Sequence, residues 1–137
     1  MIRLLYLSQA SSALTKDQVQ KILESSRRNN PALGLTGVLI HGGGVFMQVL
    51  EGPEQAVLRM YLKILEDKRH INCKIIYITP IDKRIFEGWS MGAIERDDVL
   101  GFDQIMELHH QRKEVVQAKV FTNAMHEFLD ILKAEHG

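Results

Sequence analysis

The chain has 137 residues, of which 45% are hydrophobic and 25% charged, and this suits one folded domain with a sizeable core. Its 17 basic and 17 acidic residues cancel. We therefore expect no nucleic-acid partner, because such binding needs a basic surface. We also expect a homo-oligomer, because a protein without net charge self-associates more readily. The single cysteine, Cys73, excludes an intrachain disulfide. The sequence has neither a signal peptide nor a bilayer-length apolar stretch, so we expect a cytoplasmic protein with no membrane partner.

The first third of the chain predicts a strand, a capped helix and a hairpin. Residues 2–8 alternate in a way typical of strand 1. Thr15 and Gln18 form a capping box for a helix over residues 16–29, and Pro31 marks its end. Residues 35–41 and 45–51 read as strands 2 and 3. The three glycines between them predict a turn rather than a phosphate-binding loop, because no helix follows them.

The remainder predicts a second helix, two strands and a helical C-terminal segment. The second helix opens at Gly52-Pro53-Glu54 and closes with positive charge at Lys68-Arg69-His70. Residues 73–81 predict strand 4, apolar on both faces, and residues 89–95 predict strand 5. The apolar stripe of the second helix comprises Val57, Leu58, Tyr61, Ile64 and Leu65. Helical spacing in residues 101–137 relates Val116, Val120, Phe121, Met125, Phe128, Leu129 and Leu132.

The order β-α-β-β-α-β is that of the ferredoxin-like, split βαβ fold, so we expect an α+β protein with one extra strand. Its two helices would cover one face of the sheet. Because strands 1, 2 and 4 are apolar on both faces, the C-terminal helices should pack on the second face or join a neighbouring subunit. Two roles stay open for the amphipathic segment 114–133: it completes the core, or it carries a signal to a partner.

Gln48 is a polar residue in the otherwise apolar run of residues 45–50 within strand 3. A buried amide without partners costs about 1–3 kcal/mol, so Gln48 either satisfies the core or binds a polar ligand. Strands 1 and 3 are neighbours in this fold, and Tyr6 can therefore approach Gln48. Beside them the pattern predicts a slot between the two helices, with aliphatic walls and few polar groups, which suits a flat aromatic ligand. The residues expected around the slot are Tyr6, Ile22, Ser26, Asn30, Phe46, Gln48, Tyr61 and Ile64.

The sequence shows no conventional catalytic or metal-binding set. The serines near strand 1 have no evident histidine and acid partners, and the six histidines lack metal-ligand spacing with cysteines or carboxylates. We therefore expect neither a metal site nor a hydrolytic centre.

Four features follow one another along the chain: Tyr6 in strand 1, Asn30 closing the first helix, Gln48 in strand 3, and Trp89-Ser90-Met91 near strand 5. In this order and spacing they resemble the BLUF family of flavin-binding blue-light sensors. Supporting matches are Leu35-Thr36-Gly37, residues 46–52, residues 67–70 and residues 84–89. The resemblance covers about residues 1–96, which would be the flavin-binding domain, with residues 97–137 as a C-terminal helical extension.

The resemblance implies a non-covalent flavin between the two helices, FAD in the first place, with FMN or riboflavin as substitutes. Light-driven electron and proton transfer from Tyr6 would rearrange the hydrogen bonds between Gln48 and the flavin. Trp89 and Met91, two residues apart on one strand, would share a face close to Gln48. The implied cofactor-binding set is Tyr6, Ile22, Ser26, Asn30, Phe46, Gln48, Ile64, Arg69 and His70, and the implied photoactive set is Tyr6, Gln48, Trp89 and Met91.

The expected function is therefore light sensing without enzymatic turnover, with output to an effector protein because 137 residues leave no room for an effector domain. The alternative is a ferredoxin-like small-molecule-binding domain or an acylphosphatase-like hydrolase, in which Arg3 or Arg69 would hold an anion with Asn30. A flavoenzyme is a further alternative, and it would need space for a substrate over the flavin ring.

Overall fold

One mixed sheet organises the chain in a computed structural model that describes residues 1–11, 15–95, 100–110 and 118–136. Within these residues the strands are ordered β4-β1-β3-β2-β5; β5 runs parallel to β2 and the other pairs are antiparallel. This order confirms the ferredoxin-like prediction with one additional strand. The elements are β1 (Ile2–Ala10), α1 (Lys16–Leu33), β2 (Thr36–Gly42), β3 (Val45–Gly52), α2 (Glu54–Glu66), β4 (His70–Pro80), β5 (Gly92–Glu95), α3 (Leu100–His110) and α4 (Ala118–His136).

The sheet buries apolar side chains on both faces, as expected for β1 and β2. Alternate residues of β1, such as Leu4 and Tyr6, pack with α1 and α2, whereas Leu5 and Leu7 pack with α3 and α4. The C-terminal helices therefore cover the second face, as predicted. The side chains they bury there are Phe102, Ile105, Ala124, Met125, Phe128 and Leu132.

α4 completes the core, which was one of the two roles left open for the C-terminal segment. The predicted positions Glu114 and Val116, and the side chains of Val120 and Phe121, lie outside the described residues. No helix in the described ranges is both long and apolar enough to cross a bilayer.

The first helix begins as predicted but ends later. Thr15 and Gln18 form both bonds of the capping box. The prediction that Pro31 marks the end is wrong, because α1 continues to Leu33 and closes at Gly34 in the left-handed conformation (φ 70°). Asn30 stays helical because its side chain donates to the Ser90 carbonyl at 2.6 Å, a tertiary contact that outweighs the local effect of the proline.

The predicted hairpin between β2 and β3 turns at Gly43 and Gly44, whereas Gly42, the first of the three glycines, ends β2. Gly43 and Gly44 have φ values of 60° and 77°, the left-handed conformation that a two-residue primed turn requires. The pairing that follows aligns β3 with both β1 and β2 and sets Gln48 opposite Tyr6.

Two predictions for the α2–β4 region are wrong. Lys68-Arg69-His70 do not close α2, because the helix ends at Glu66 with Asp67 as its C-cap and His70 begins β4. β4 is not buried on both faces, because it is the edge strand and pairs only with β1. Side chains that the pattern assigned to the core are exposed as a result: Leu58 and Leu65 on α2, and Ile75 and Ile78 on β4.

The last strand is shorter than predicted, because β5 covers only Gly92–Glu95. The carbonyls of Ser90 and Met91 accept bonds from the side chains of Asn30 (2.6 Å) and Arg27 (3.0 Å). Residues 89–91 therefore form an irregular segment attached to α1. The expectation that Trp89 and Met91 share one face of a strand is wrong.

Candidate functional site

Tyr6 and Gln48 lie directly opposite each other on β1 and β3. The Tyr6 hydroxyl donates a hydrogen bond to Gln48 Oε1. Tyr6 is completely buried, and this desolvation, reinforced by Cys73 and Tyr61, raises the pKa of its phenol well above the ordinary value. Tyr6 is consequently a neutral donor at physiological pH.

The other end of the Gln48 amide has a weaker partner. Gln48 Nε2 donates to Met91 Sδ at 3.5 Å, and a thioether sulfur is a weak acceptor. The same side chain lines a cavity between α1 and α2. One end of the amide is thus held by a phenol, while the other borders space in which a stronger acceptor would bind.

The cavity has a volume of about 170 Å³ and combines aliphatic walls with amide groups. Ile22 lines it from α1 and Ile64 from α2, while Asn30 and Gln48 supply carboxamides that can both donate and accept. This chemistry fits a flat heteroaromatic ring with alternating N–H and C=O groups on one edge. The full lining is Ile22, Ser25, Ser26, Asn29, Asn30, Gln48, Leu50, Met60, Lys63, Ile64, Asp67, Arg69 and His70.

Asn30 and Ser26 occupy the predicted positions on α1. The Asn30 amide nitrogen bonds to Ser90, and its amide oxygen is the acceptor which that bond does not use. The Ser26 hydroxyl donates back to the Ile22 carbonyl at 3.1 Å, so its oxygen can still accept. Both residues therefore offer polar atoms at the cavity.

His70 and Phe46 lie next to each other at the end of the site nearest β4. Their ring centroids are 4.8 Å apart, and His70 Nδ1 lies 3.0 Å from the Ser8 hydroxyl. Burial lowers the pKa of His70, and this outweighs the opposite effect of Asp67. His70 lines the cavity, but Phe46 does not and acts as packing beneath it.

The arginines proposed to hold an anion are already paired. Arg69 binds Asp67 at 2.5 Å, which holds the pKa of that carboxyl below its usual value. Arg3 pairs with Glu51 at 2.8 Å, beside the backbone of residues 85 and 86. On β1, Arg3 falls in the alternation of Leu5 and Leu7, which point away from the cavity. Arg3 therefore cannot hold an anion in this cavity, as the hydrolase alternative would require of it.

Met91 and Trp89 lie in different layers. Met91 is buried in the cluster that contains Tyr6 and contacts Gln48, whereas Trp89 packs against the cluster formed with α3 and α4. Of the two, Met91 is the one beside the amide.

Sequence reasoning missed several cavity residues on the two helices. Helical periodicity could have found them, because Ser25 and Asn29 lie one turn apart on α1. Met60 and Lys63 likewise share one side of α2, and the C-cap Asp67 continues that side. It also missed the role of Glu51, a fully buried carboxylate. Glu51 accepts bonds from Arg3, Thr36 and the backbone N–H groups of Ile85 and Phe86.

Known proteins resemble this chain in sequence and in fold. Residues 1–92 match the family model BLUF, described as sensors of blue-light using FAD. The β subunit of the photoactivated adenylate cyclase of Euglena gracilis is 30% identical over 121 residues. That match covers 88% of this chain but 14% of the relative, so the chain corresponds to a small part of the cyclase subunit.

Solved structures agree in fold over nearly the whole chain. BlrB, a BLUF protein in its dark state, superposes with a TM-score of 0.77 at 26% identity and covers 96% of both chains. The photo-activated state of BlsA gives a TM-score of 0.75 at 31% identity, covering 93% of this chain and 94% of BlsA. A bacterial light-regulated adenylyl cyclase gives 0.71 at 32% identity, covering 82% of this chain and 34% of the cyclase. The chain therefore belongs to the BLUF family of blue-light sensors, which bind flavin.

Proposed function

We propose that the chain is a blue-light photoreceptor in which the hydrogen bonds of Gln48 change on illumination. The observation that carries this proposal is the asymmetric environment of the Gln48 amide. A buried phenol binds its oxygen, a weak thioether acceptor faces its nitrogen, and a cavity lies beside it.

A flavin ring fits the cavity through its walls and its edge. Ile22 and Ile64 would contact the ring from the two helices, and Asn30 and Gln48 would bind its polar edge. The bound flavin would supply absorption of blue light and, in its excited state, a strong electron acceptor. We propose FAD as the cofactor. FMN and riboflavin could replace it, because the chain lacks a glycine-rich dinucleotide fingerprint that would hold the phosphate tail firmly.

Polar side chains at the mouth of the cavity extend this binding site. Ser26 offers a hydroxyl oxygen, and Lys63, Arg69 and His70 lie on the α2 side. The positive charges of Lys63 and Arg69 suit the phosphate tail of a flavin nucleotide, and His70 offers a ring nitrogen for a hydrogen bond. Phe46 would support His70 from below rather than contact the cofactor.

Tyr6 and Gln48 would then act as donor and switch. A buried, neutral phenol can give up an electron and a proton together, which phenylalanine at this position could not do. A carboxamide carries donors on one end and an acceptor on the other. Rotation or tautomerisation of Gln48 would therefore exchange a donor for an acceptor at the cavity without displacing the backbone.

The structural change at Gln48 would be transmitted out of the site through Met91. Gln48 contacts the Met91 sulfur, and the next residue, Gly92, lies so close to α4 that an added Cβ would come within 2.6 Å of Leu132 side-chain carbons. Movement of Met91 would therefore be transmitted to Leu132. Trp89, packed on the α3–α4 side of the same segment, would follow it and serve as a reporter rather than as a ligand of the flavin.

We further propose that residues 1–96 form the sensor, that residues 97–137 form the output segment, and that an effector protein receives the signal. Photoactivated cyclases among the relatives support such an effector, because similar sequences there form part of much longer chains. For this chain we propose signalling without turnover, as a homo-oligomer.

Absorption spectroscopy tests the proposal directly. The purified protein should carry a flavin, show a small red shift of its absorption under blue light, and recover in darkness. A protein that remains colourless after incubation with FAD, FMN and riboflavin would contradict the proposed cofactor. A flavin-loaded protein with no reversible shift would contradict the proposed switch.

A further inference from the structure

α2 carries an apolar stripe that no other described element covers. Leu58, Leu62 and Leu65 are 38%, 59% and 46% exposed. At 100° per residue they project away from the side of α2 that lines the flavin cavity, and lie next to the Val57 and Tyr61 side that packs on the sheet. One helix therefore has a core side, a cavity side and an uncovered leucine side.

Edge strand β4 extends this apolar surface. Ile75 pairs with Tyr6 and Ile78 with Leu4, so both isoleucines project from the sheet face on which α2 lies. They are 45% and 47% exposed. A long edge strand with exposed apolar side chains is a surface on which proteins associate. We refer to Leu58, Leu62, Leu65, Ile75 and Ile78 as the α2–β4 surface.

The leucines follow the spacing of a coiled-coil seam. Steps of four and then three residues place Leu58 at position d, Leu62 at a and Leu65 at d of a heptad. Arg59 and Glu66 then occupy the two flanking e positions, and both are exposed. In an antiparallel pair of such helices, e positions face e positions. Arg59 would therefore lie near Glu66 of the partner subunit.

We propose that the α2–β4 surface binds a second copy of this chain about a two-fold axis that passes near Leu62. The axis makes the contact self-complementary: the leucine stripes meet, and the Arg59 to Glu66 pair forms twice. The absence of net charge removes long-range repulsion between the copies. The surface is separate from the flavin cavity, so the inference does not depend on the proposed photochemistry.

The first test measures the oligomeric state of the full chain in darkness by sedimentation velocity across a broad dilution series. The unaltered chain should dimerise. Leu62→Lys should abolish the dimer, because it places a charge on the axis and brings two lysines together. The matched control is Leu33→Lys at the end of α1, another exposed leucine, which should dimerise like the unaltered chain. A chain that is monomeric throughout, or an Leu62→Lys variant that dimerises normally, would overturn the proposal.

A charge exchange tests the geometry and uses exposed positions that leave the fold unchanged. Arg59→Glu and Glu66→Arg should each weaken dimerisation roughly tenfold or more, because each homodimer would contain two like-charged contacts. Mixing the two variants should restore dimerisation, because both contacts in the heterodimer then join opposite charges. A mixture as weak as the separate variants would overturn the two-fold arrangement, as would binding of either variant that equals that of the unaltered chain.

Discussion

Two buried polar pairs join β1 to β3, and they differ in how completely their groups are bonded. Arg3 pairs with Glu51, and three residues further along β1 Tyr6 pairs with Gln48. Both Glu51 oxygens accept from strong donors, among them the N–H groups of Ile85 and Phe86 at 2.9 and 2.8 Å. The Gln48 nitrogen has a thioether sulfur at 3.5 Å.

The difference gives the two pairs different roles: the Arg3–Glu51 network is a structural clamp, whereas the Gln48 amide can change its hydrogen bonds and act as a switch. Glu51 holds β1, β2 and the 85–86 backbone together, and any rearrangement would leave a buried charge unpaired. Gln48 is neutral and borders a cavity, so reorienting its amide costs little once a ligand offers partners. The charge and the complete hydrogen bonding of Glu51 therefore stabilise the fold, whereas the incomplete hydrogen bonding of Gln48 leaves this residue able to bind a ligand.

The largest expected effect is the loss of the clamp. Glu51→Ala should lower the free energy of unfolding by about 3–5 kcal/mol, because it leaves Arg3 and two backbone N–H groups without their acceptor. Urea denaturation measures this, with Glu24→Ala on the exposed side of α1 as a control expected within about 0.5 kcal/mol of the unaltered chain. A cost below about 1 kcal/mol for Glu51→Ala would show that the network is not a clamp.

Removing the phenol should have a smaller effect on stability but a complete effect on light sensing. Tyr6→Phe deletes one hydrogen bond and should cost about 1 kcal/mol. Flavin should stay bound, and the light-induced spectral shift should disappear. The matched control is Tyr61→Phe, whose ring lies 5.2 Å from Tyr6 and which should retain the shift. A normal shift in Tyr6→Phe would exclude Tyr6 as the donor.

Exchanging the thioether should change the signal with little change in stability. Met91→Leu conserves volume and should cost less than about 1.5 kcal/mol, but it removes the acceptor beside Gln48 Nε2. We expect an altered dark-recovery rate, followed by absorption after a light pulse. Met47→Leu makes the same exchange at a buried position on the other face and should recover like the unaltered chain. Equal rates in all three proteins would remove Met91 from the switch.

The smallest expected effect is a pH dependence of stability from His70. Burial lowers its folded-state pKa below 6.5, so the unfolded chain binds the proton more tightly and stability declines as the pH falls below 6.5. Burial lowers the pKa of His41 in the same way. The pKa of Asp67 is lowered from 3.8, so this carboxyl stays ionised between pH 5.5 and 7.5. Urea midpoints at pH 7.5 and 5.5 should differ less for His70→Gln than for the unaltered chain. An undiminished difference would assign the dependence to other groups.

Sequence reasoning succeeded where periodic pattern and pairing rules determine the outcome. The neighbouring positions of Tyr6 and Gln48 follow from strand order and alternation, and Ile22, Asn30 and Ile64 follow from helical spacing. It failed where tertiary contacts override local preference. The contact of Asn30 with Ser90 favours continuation of α1 beyond Pro31. Side chains of α1 bind the carbonyls of residues 90 and 91, which therefore do not join β5.

Burial at the sheet edge could not be read from composition. β4 is as apolar as β1, yet its place at the edge of the sheet leaves Ile75 and Ile78 exposed. The role of Glu51 was hidden for a related reason, because its partners at residues 85 and 86 are backbone groups and leave no pattern in the sequence.

The role of Gln48 as the switch is tested by the light-minus-dark absorption difference of the flavin-loaded Gln48→Leu variant. Leucine fills the position but has no amide to reorient. We expect a reversible red shift in the unaltered chain and none in the variant, with flavin bound in both. A variant that shifts and recovers like the unaltered chain would show that Gln48 is not the switch.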